Sequence, residues 1–576
     1  MSIFTNVLVA QNENQKQSTN FMQGYVMSQT TQQPIAYATI YNHTTRMGTV
    51  SNSEGYFKIR INDYKDSIAV TMLGYRNYHI GLTPNNNFVS VMLRDNPLLI
   101  PEITVTAQDE LYLYEAVAAC ESNQTKNRFI AKTYFELETY AGNKQIELIE
   151  SYYHAKVHGY DIEELNLKCG RIGLQKYNDR FFVSVESSQT VNILRLFEQS
   201  NYFPQSPMGL GLKKLQKNYN LYLTKKYKDV SDHTILVIEY LPKDTVGNFF
   251  TGEVWVDSAQ HKVLKITMKT AEAKTHPFLP LHSDDALKEV SMDITKTFAN
   301  YKGSMVLNHI DFNYQINYKP ANEASFMVST KAILYAYDYD DKFILPRFNF
   351  SANNISDYSK LNALPYNSAF WNNNTEFCLN DLKSRNQIFF NDPATITSKR
   401  IFAPNETFKK GLLEYPYITW NGSRISFHEF EGQQKQFQDQ SKSLAMDMYD
   451  LNVKLFVDVN TIADTVNIMT AAVFDPYKSY YKFPVTNASL CFINIYFDLV
   501  EIERRELDAE LQKSDRSDIA VQALYDSRMA KIEAMKLKYF RETERGNNQA
   551  GITKWNQVVV DKIGINNIVV FNPFGK

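Results

Sequence analysis

Cysteine is scarce in this chain: Cys120, Cys169, Cys378 and Cys491 are the only four in 576 residues. They are widely spaced and form no CxxC pair, which excludes a zinc ribbon and a dithiol redox motif. Two long-range disulfides remain open in an oxidising compartment, but the spacing reads more simply as buried free thiols. A continuous apolar run of ~20 residues is also missing, so no transmembrane helix is expected. The nearest stretch, Ser489 to Ile502, is broken by Asn494 and Asp498. Neither charge dominates: Lys and Arg total 61 against 63 Asp and Glu, a net charge of -2. Without a basic field, nucleic acid is not expected as a partner. Tryptophan is rare, at 4, whereas Tyr and Phe supply 37 and 36, and that aromatic weight favours strands. With 44% hydrophobic and 22% charged residues the chain folds, and its length suits several domains.

Chemical motifs are equally thin. His154 and His158 lie four apart, but Ala155 stands where HExxH needs glutamate. The local pattern is a strand, which would separate the two rings by ~13 Å. His276 and His282 flank a Pro-rich loop ahead of Asp284-Asp285, and His428-Glu429 sits at a strand end with no partner at fixed spacing. There is no GxSxG elbow. Gly209-Leu210-Gly211-Leu212 lacks the third glycine of a nucleotide loop. Asp447, Asp450, Asp458 and Asp464 do not keep calcium-loop spacing. No catalytic, metal or cofactor residue is assigned, and no cofactor is expected.

What is present is strand rhythm. From Gly24 to Ala107, short β-branched and aromatic runs alternate with Gly, Pro, Asn and Asp at intervals of roughly ten residues, as in a small β-sandwich. Gly55, after Asn52-Ser53-Glu54, is placed at the positive-φ position of a hairpin turn. Val26, Ile40, Phe57, Ile59, Val70 and Val91 are its expected core. The runs Gly24-Tyr25-Val26, Pro34-Ile35-Ala36-Tyr37-Ala38, Thr49 to Phe57, Leu73-Gly74-Tyr75 and Leu99-Ile100-Pro101-Glu102-Ile103-Thr104-Val105 resemble the carboxypeptidase-like regulatory domain. That is a transthyretin-like sandwich common in cell-envelope proteins of the Bacteroidetes. The resemblance implies an exported protein, but neither a receptor plug nor a carboxypeptidase metal motif follows it.

The rest is read in order. Residues 1–20 are taken as a signal remnant and linker, because Ile3 to Ala10 is apolar and a polar stretch follows. Residues 21–107 are the sandwich, and 108–125 a connecting helix with 113, 116, 117 and 120 on one face. Residues 126–340 form a large antiparallel β domain. Its clearest hairpin, Gly252 to Lys269, alternates Leu264, Ile266 and Met268 with Lys265, Thr267 and Lys269. That hairpin resembles those in the curved sheet of periplasmic lipoprotein carriers. Residues 341–440 are irregular and aromatic-rich, and 441–500 return to strands, including Ala488 to Phe497. A helical hairpin spans 501–545, with Val521, Leu524, Tyr525, Ile532, Met535 and Tyr539 on one side and Arg528 and Lys531 opposite. Residues 546–576 close in strands at Val558-Val559-Val560 and Ile568 to Phe571.

The expected fold is thus mainly β: an N-terminal sandwich, a large antiparallel domain and a C-terminal helical hairpin. The function read from it is a non-enzymatic envelope binding or assembly module, sharpened as a periplasmic carrier. Its partners would be an envelope protein, a lipid or a glycan, in the periplasm or at the outer membrane. An outer-membrane barrel behind the sandwich, and a hydrolase with an unrecognised site, are the alternatives.

Overall fold

In the computed structural model, the turn before Tyr56 is closed by Asn52. The Asn52 N–H donates to the Tyr56 carbonyl at 2.8 Å, and the Gly55 N–H to the Asn52 carbonyl at 2.9 Å. Gly55 has φ +76°, and a Cβ there would meet the Val26 carbonyl oxygen at 2.4 Å. Both the backbone and the space demand glycine, as the sequence predicts. The structure describes residues 20–45, 47–52, 54–83, 87–95, 107–125, 127–174, 177–178, 187–229, 232–280, 284–348, 360–361, 364–374, 376–377, 417–427, 430, 449–462, 465–476 and 478–575.

Two units are formed: Met1–Pro97 with Asn374–Asn380, and Leu98–Asn373 with Asp381–Lys576. The first holds β1 (Asn20–Ser28), β2 (Thr39–Asn42), β3 (Met47–Val50), β4 (Tyr56–Ile61), β5 (Ile68–Thr71), β6 (Tyr78–Ile80) and β7 (Phe88–Leu93). They make two sheets, β4-β1-β7 and β3-β2-β5-β6. Between them lie Val26, Ile40, Phe57, Ile59, Val70 and Val91, all at most 1% exposed, so the expected core is the observed one. A returning piece completes this unit. The Thr49 hydroxyl donates to the Glu376 carbonyl at 2.6 Å, and the Arg60 guanidinium pairs with the Glu376 carboxylate at 3.2 Å. Phe57→Ala should cost the sandwich about 3–5 kcal/mol. Hydrogen exchange on the full chain would show it as lost protection across β1–β7, and unchanged protection there would remove Phe57 from the core's support.

The second unit is built on β8 (Arg128–Ala141), β9 (Lys144–His158), β10 (Asp161–Leu174), β11 (Tyr219–Lys228), β12 (Thr234–Pro242), β13 (Gly252–Asp257), β14 (Lys262–Thr270), β15 (Ala286–Tyr301), β16 (Ser304–Lys319) and β17 (Phe326–Tyr337). They form one antiparallel sheet in the order β10-β9-β8-β17-β16-β15-β14-β13-β12-β11. Among the described residues its outer strands, β10 and β11, do not pair with each other. With it go α1 (Ala107–Ser122), α2 (Ser187–Ile193), α3 (Leu212–Asn218) and α4 (Ser368–Asn373).

The remaining elements are β18 (Ile418–Thr419), β19 (Tyr449–Asp450), β20 (Val453–Ile462), β21 (Thr465–Phe474), β22 (Tyr480–Tyr481), α5 (Asn487–Lys513), α6 (Asp518–Thr543), α7 (Gln549–Ile563) and α8 (Asn567–Phe571). The helical hairpin is present as α5 and α6, and its apolar stripe packs into one core with β20 and β21. Two expectations fail here. Ala488 to Phe497 is not a strand but the first part of α5. Its N-terminus is a capping box, with the Ser489 N–H donating to the Thr486 hydroxyl and the Thr486 N–H to the Ser489 hydroxyl. The C-terminal strands at 546–576 are also absent, because Val558–Val560 lies in α7 and Ile568–Phe571 in α8. Asn548 and Asn566 cap their starts, and Gly564 ends α7 at φ +76°. These caps, together with burial of Ile552 and Val559, override the β preference of the valines. Arg528, expected on the wet side, is buried instead against Glu503, Glu506 and Glu510 of α5.

Candidate functional site

A single apolar row crosses the large sheet. Cross-strand neighbours run Ile172, Ile149, Leu137, Ala332, Phe312, Ile294, Met268 from β10 to β14. From β14 it continues one pair over as Ile266, Val254, Ile238, Leu223 to β11. On β16 the row alternates with Asp311, Asn313, Gln315 and Asn317, so the period of two puts Ile310, Phe312, Tyr314 and Ile316 on one face. That face is the inside of a curl. The Tyr160 hydroxyl, in the β9–β10 turn, accepts the Val263 N–H at 3.1 Å, although β14 lies six positions from β10. The Leu307 N–H of β16 donates to the Gly159 carbonyl at 3.2 Å. This end of the half-barrel is therefore pinched shut.

Among the described residues no second sheet covers the concave face; short pieces do. Leu113, Ala116, Val117 and Cys120 of α1 pack on it, at the spacing the sequence predicts. The segment from α2 to α3 adds Val191, Leu196, Phe197, Phe203, Met208 and Leu215. Gly209 turns this segment at φ +71°, where a Cβ would lie 1.9 Å from the Phe197 carbonyl oxygen. The glycine pair is thus a turn ahead of α3. The cover is latched from the floor: Lys296, 1% exposed, reaches Asp161 at 2.7 Å and the Leu194 carbonyl at 2.9 Å. Asp161 in turn accepts the Leu196 N–H. Near the opposite end, Phe278 stacks on Tyr314 with centroids 4.2 Å apart. Sequence reasoning missed this lid ring; its signal was the Pro277-Phe278-Leu279-Pro280 run, an apolar pair held in a rigid loop.

The outer face carries locks. Lys168, in a bulge of β10, pairs with Asp458 of β20 at 2.5 Å, with both side chains almost fully buried. Asp458 also accepts from Asn367 at 2.9 Å and Asn460 at 3.0 Å. Glu150 accepts from Arg171 and from the Tyr134 hydroxyl, and the Arg171 guanidinium lies 4.0 Å from the Trp371 ring.

The singled-out residues do not converge. His154 and His158 are on strand β9, and burial first, then Lys342, lowers His154 below the usual imidazole range. His158 lies 3.6 Å from Glu163. His276 is lowered by burial. His282, His428, Glu429, Asp447, Asp464 and Cys378 lie outside the described residues, as do residues 1–19 and most of 341–440. Asp450 pairs with Lys536, far from Asp458 in its own lock. Cys120, Cys169 and Cys491 are buried free thiols, and burial pushes Cys120 up to about 12. Among the described residues no group of three His, Cys, Asp or Glu is placed to hold a metal ion. Sequence reasoning also missed His309, buried on β16, where burial and then Lys265 push its imidazole down to about 3.

Comparison with known proteins resolves the first unit. Residues 22–105 match the family model of the CarboxypepD_reg-like domain. No curated protein matches the chain. Similar solved structures include a domain described as an outer membrane lipoprotein-sorting protein from Vibrio parahaemolyticus, at 14% identity and TM-score 0.18, covering 44% of this chain and 99% of that one. A LolA superfamily protein from Nitrosomonas europaea is 14% identical with TM-score 0.16, covering 41% and 93%. The MucA/MucB complex of Pseudomonas aeruginosa is 11% identical with TM-score 0.15, covering 38% and 93%. Among the described residues, no helix is long and apolar enough to cross a membrane.

Proposed function

We propose that this protein is a non-enzymatic, exported binding module of the cell envelope that carries an apolar ligand, of the acyl-chain class, on the concave face of its ten-stranded sheet. The observation that carries this reading is the apolar row that crosses all ten strands and is covered, among the described residues, by short pieces: α1, the α2–α3 segment, the Phe278 loop and Leu361. A fold that needed only stability would bury such a face under a second sheet or long helices. A cover of short pieces, latched by the Lys296–Asp161 pair at the pinched end and hinged where Gln205 and Gln216 bond to the strand loops at the other, can lift at the latch without unfolding the floor. The outer strands β10 and β11, which do not pair with each other among the described residues, favour an open carrier over a closed barrel, and the regulatory-like sandwich at 22–105 favours export to the periplasm or outer membrane.

Titrating the full-length protein with a fluorescent fatty acid tests this. Saturable binding is expected, and Phe278→Ala should speed probe release about three- to tenfold by removing an aromatic lid contact. Absence of saturable binding would leave the sheet as an assembly scaffold only.

A further inference from the structure

At the end of the half-barrel opposite the pinch, four segments are knitted into one rim. The Lys243 ammonium donates to the Gln216 carbonyl of α3 at 2.7 Å. Asn218 donates to Gln205 at 2.7 Å, and the Gln205 N–H to the Asn248 carbonyl at 2.9 Å. Asn248 donates to Thr275 at 2.7 Å, and the Lys274 ammonium to the Val246 carbonyl. The loops after β12 and β14, the stretch from Tyr202 to Gln205 and helix α3 therefore share one surface.

That surface has an unusual make-up. Lys213, Lys214, Lys217, Lys243 and Lys274 are all exposed on it, against the exposed carboxylates Asp244, Glu272 and Asp284. Out of the same loops project Leu279, 85% exposed, Val246, 74%, and Tyr202, 58%. Single exposed apolar residues are ordinary, but three on bonded neighbouring segments, ringed by five lysines in a chain of net charge -2, need a reason.

We infer that this rim docks on an anionic lipid surface, with Leu279, Val246 and Tyr202 entering the headgroup layer and the lysines holding its negative charge. A protein partner would need a continuous complementary patch of roughly 800 Å². Three apolar tips on separate loops, spaced by lysines, offer no such patch, whereas a fluid interface accepts them one at a time. Each lysine near such a surface is worth about fivefold in partition. The inference does not rest on the carrier reading. A chain that binds vesicles but no fatty-acid probe keeps this rim and loses that function; the reverse result does the opposite.

The test is flotation of the full-length protein with vesicles of phosphatidylcholine containing about 30% phosphatidylglycerol, against pure phosphatidylcholine, at low salt. At least about tenfold preference for the anionic vesicles is expected, falling away near 0.5 M salt as the charges are screened. The Val246→Asp/Leu279→Asp variant and the Lys213→Glu/Lys214→Glu/Lys217→Glu variant alter only exposed side chains. Each should keep the parent melting temperature and lose about tenfold or more of the binding. No binding, equal binding to neutral vesicles, or full binding by either variant would overturn the inference.

Discussion

Lys168→Ala is expected to cost about 3–5 kcal/mol, because it leaves the Asp458 carboxylate buried without its cation. The Lys168 side chain is 1% exposed and Asp458 2%. Lys168 also donates to the carbonyls of Ile344 at 2.6 Å and Val459 at 2.9 Å, so its removal strands two backbone acceptors as well. Asn367 and Asn460 would still donate to Asp458, but neutral amides do not replace the charge. Chemical denaturation should show Asp458→Ala falling by a similar amount. The apolar double variant Lys168→Met/Asp458→Leu should recover most of the loss, since the pair's own desolvation disappears with it. A single-variant loss below about 1 kcal/mol, the value of an exposed pair, would sink the claim that this contact locks β20 to the outer face of the sheet.

The second large effect is expected from Ile532→Lys/Met535→Lys on α6. Ile532 is fully buried in the core shared by α5, α7, β20 and β21, and Met535 packs against the same core. A lysine at 532 would bury an ammonium with no partner, while the stripe loses the contacts that hold a helix of mixed surface charge. A loss of several kcal/mol is expected, on the order of 4 or more, read as early melting of the α5–α8 bundle. Unchanged melting would turn the stripe from a core into a docking face. The Arg528 ladder to Glu503, Glu506 and Glu510 does not rescue it, because those contacts lie on α5 and presuppose the packed pair.

The sandwich was legible because its strands alternate and its turns carry glycine where the backbone demands it, as at Gly55. The Gly252–Lys269 hairpin was legible for the same reason, its inward set being Val254, Val263, Ile266 and Met268, with a bulge near Leu264 that shifts the alternation by one. Helix α5 was not. From Cys491 to Ile502 it is buried on every side, so its apolar residues show no 3.6 period and Phe492 to Phe497 imitates a strand. The valines of α7 misled through their β preference, although Asn548 and Gly564 bracketed a helix. The concave floor could not be read either, because a row across ten strands exists only after register is set. The rim lysines left one trace, the Leu212-Lys213-Lys214-Leu215-Gln216-Lys217 run, but their convergence with Val246 and Leu279 is a property of loops that meet in space.

The sandwich is made of two pieces of chain, and that sets a clock. Thr49 and Arg60 wait for Glu376, which follows Thr49 by 327 residues. At a synthesis rate of roughly 5–20 residues per second, the first piece exists for roughly 15–65 s before its last contact can form. During that interval the sheets β4-β1-β7 and β3-β2-β5-β6 can assemble around Phe57, but the site that receives Glu376 stays uncovered. Its closure comes only after the strands of the large sheet have all been made, so a sandwich that starts first still closes behind a sheet that starts later.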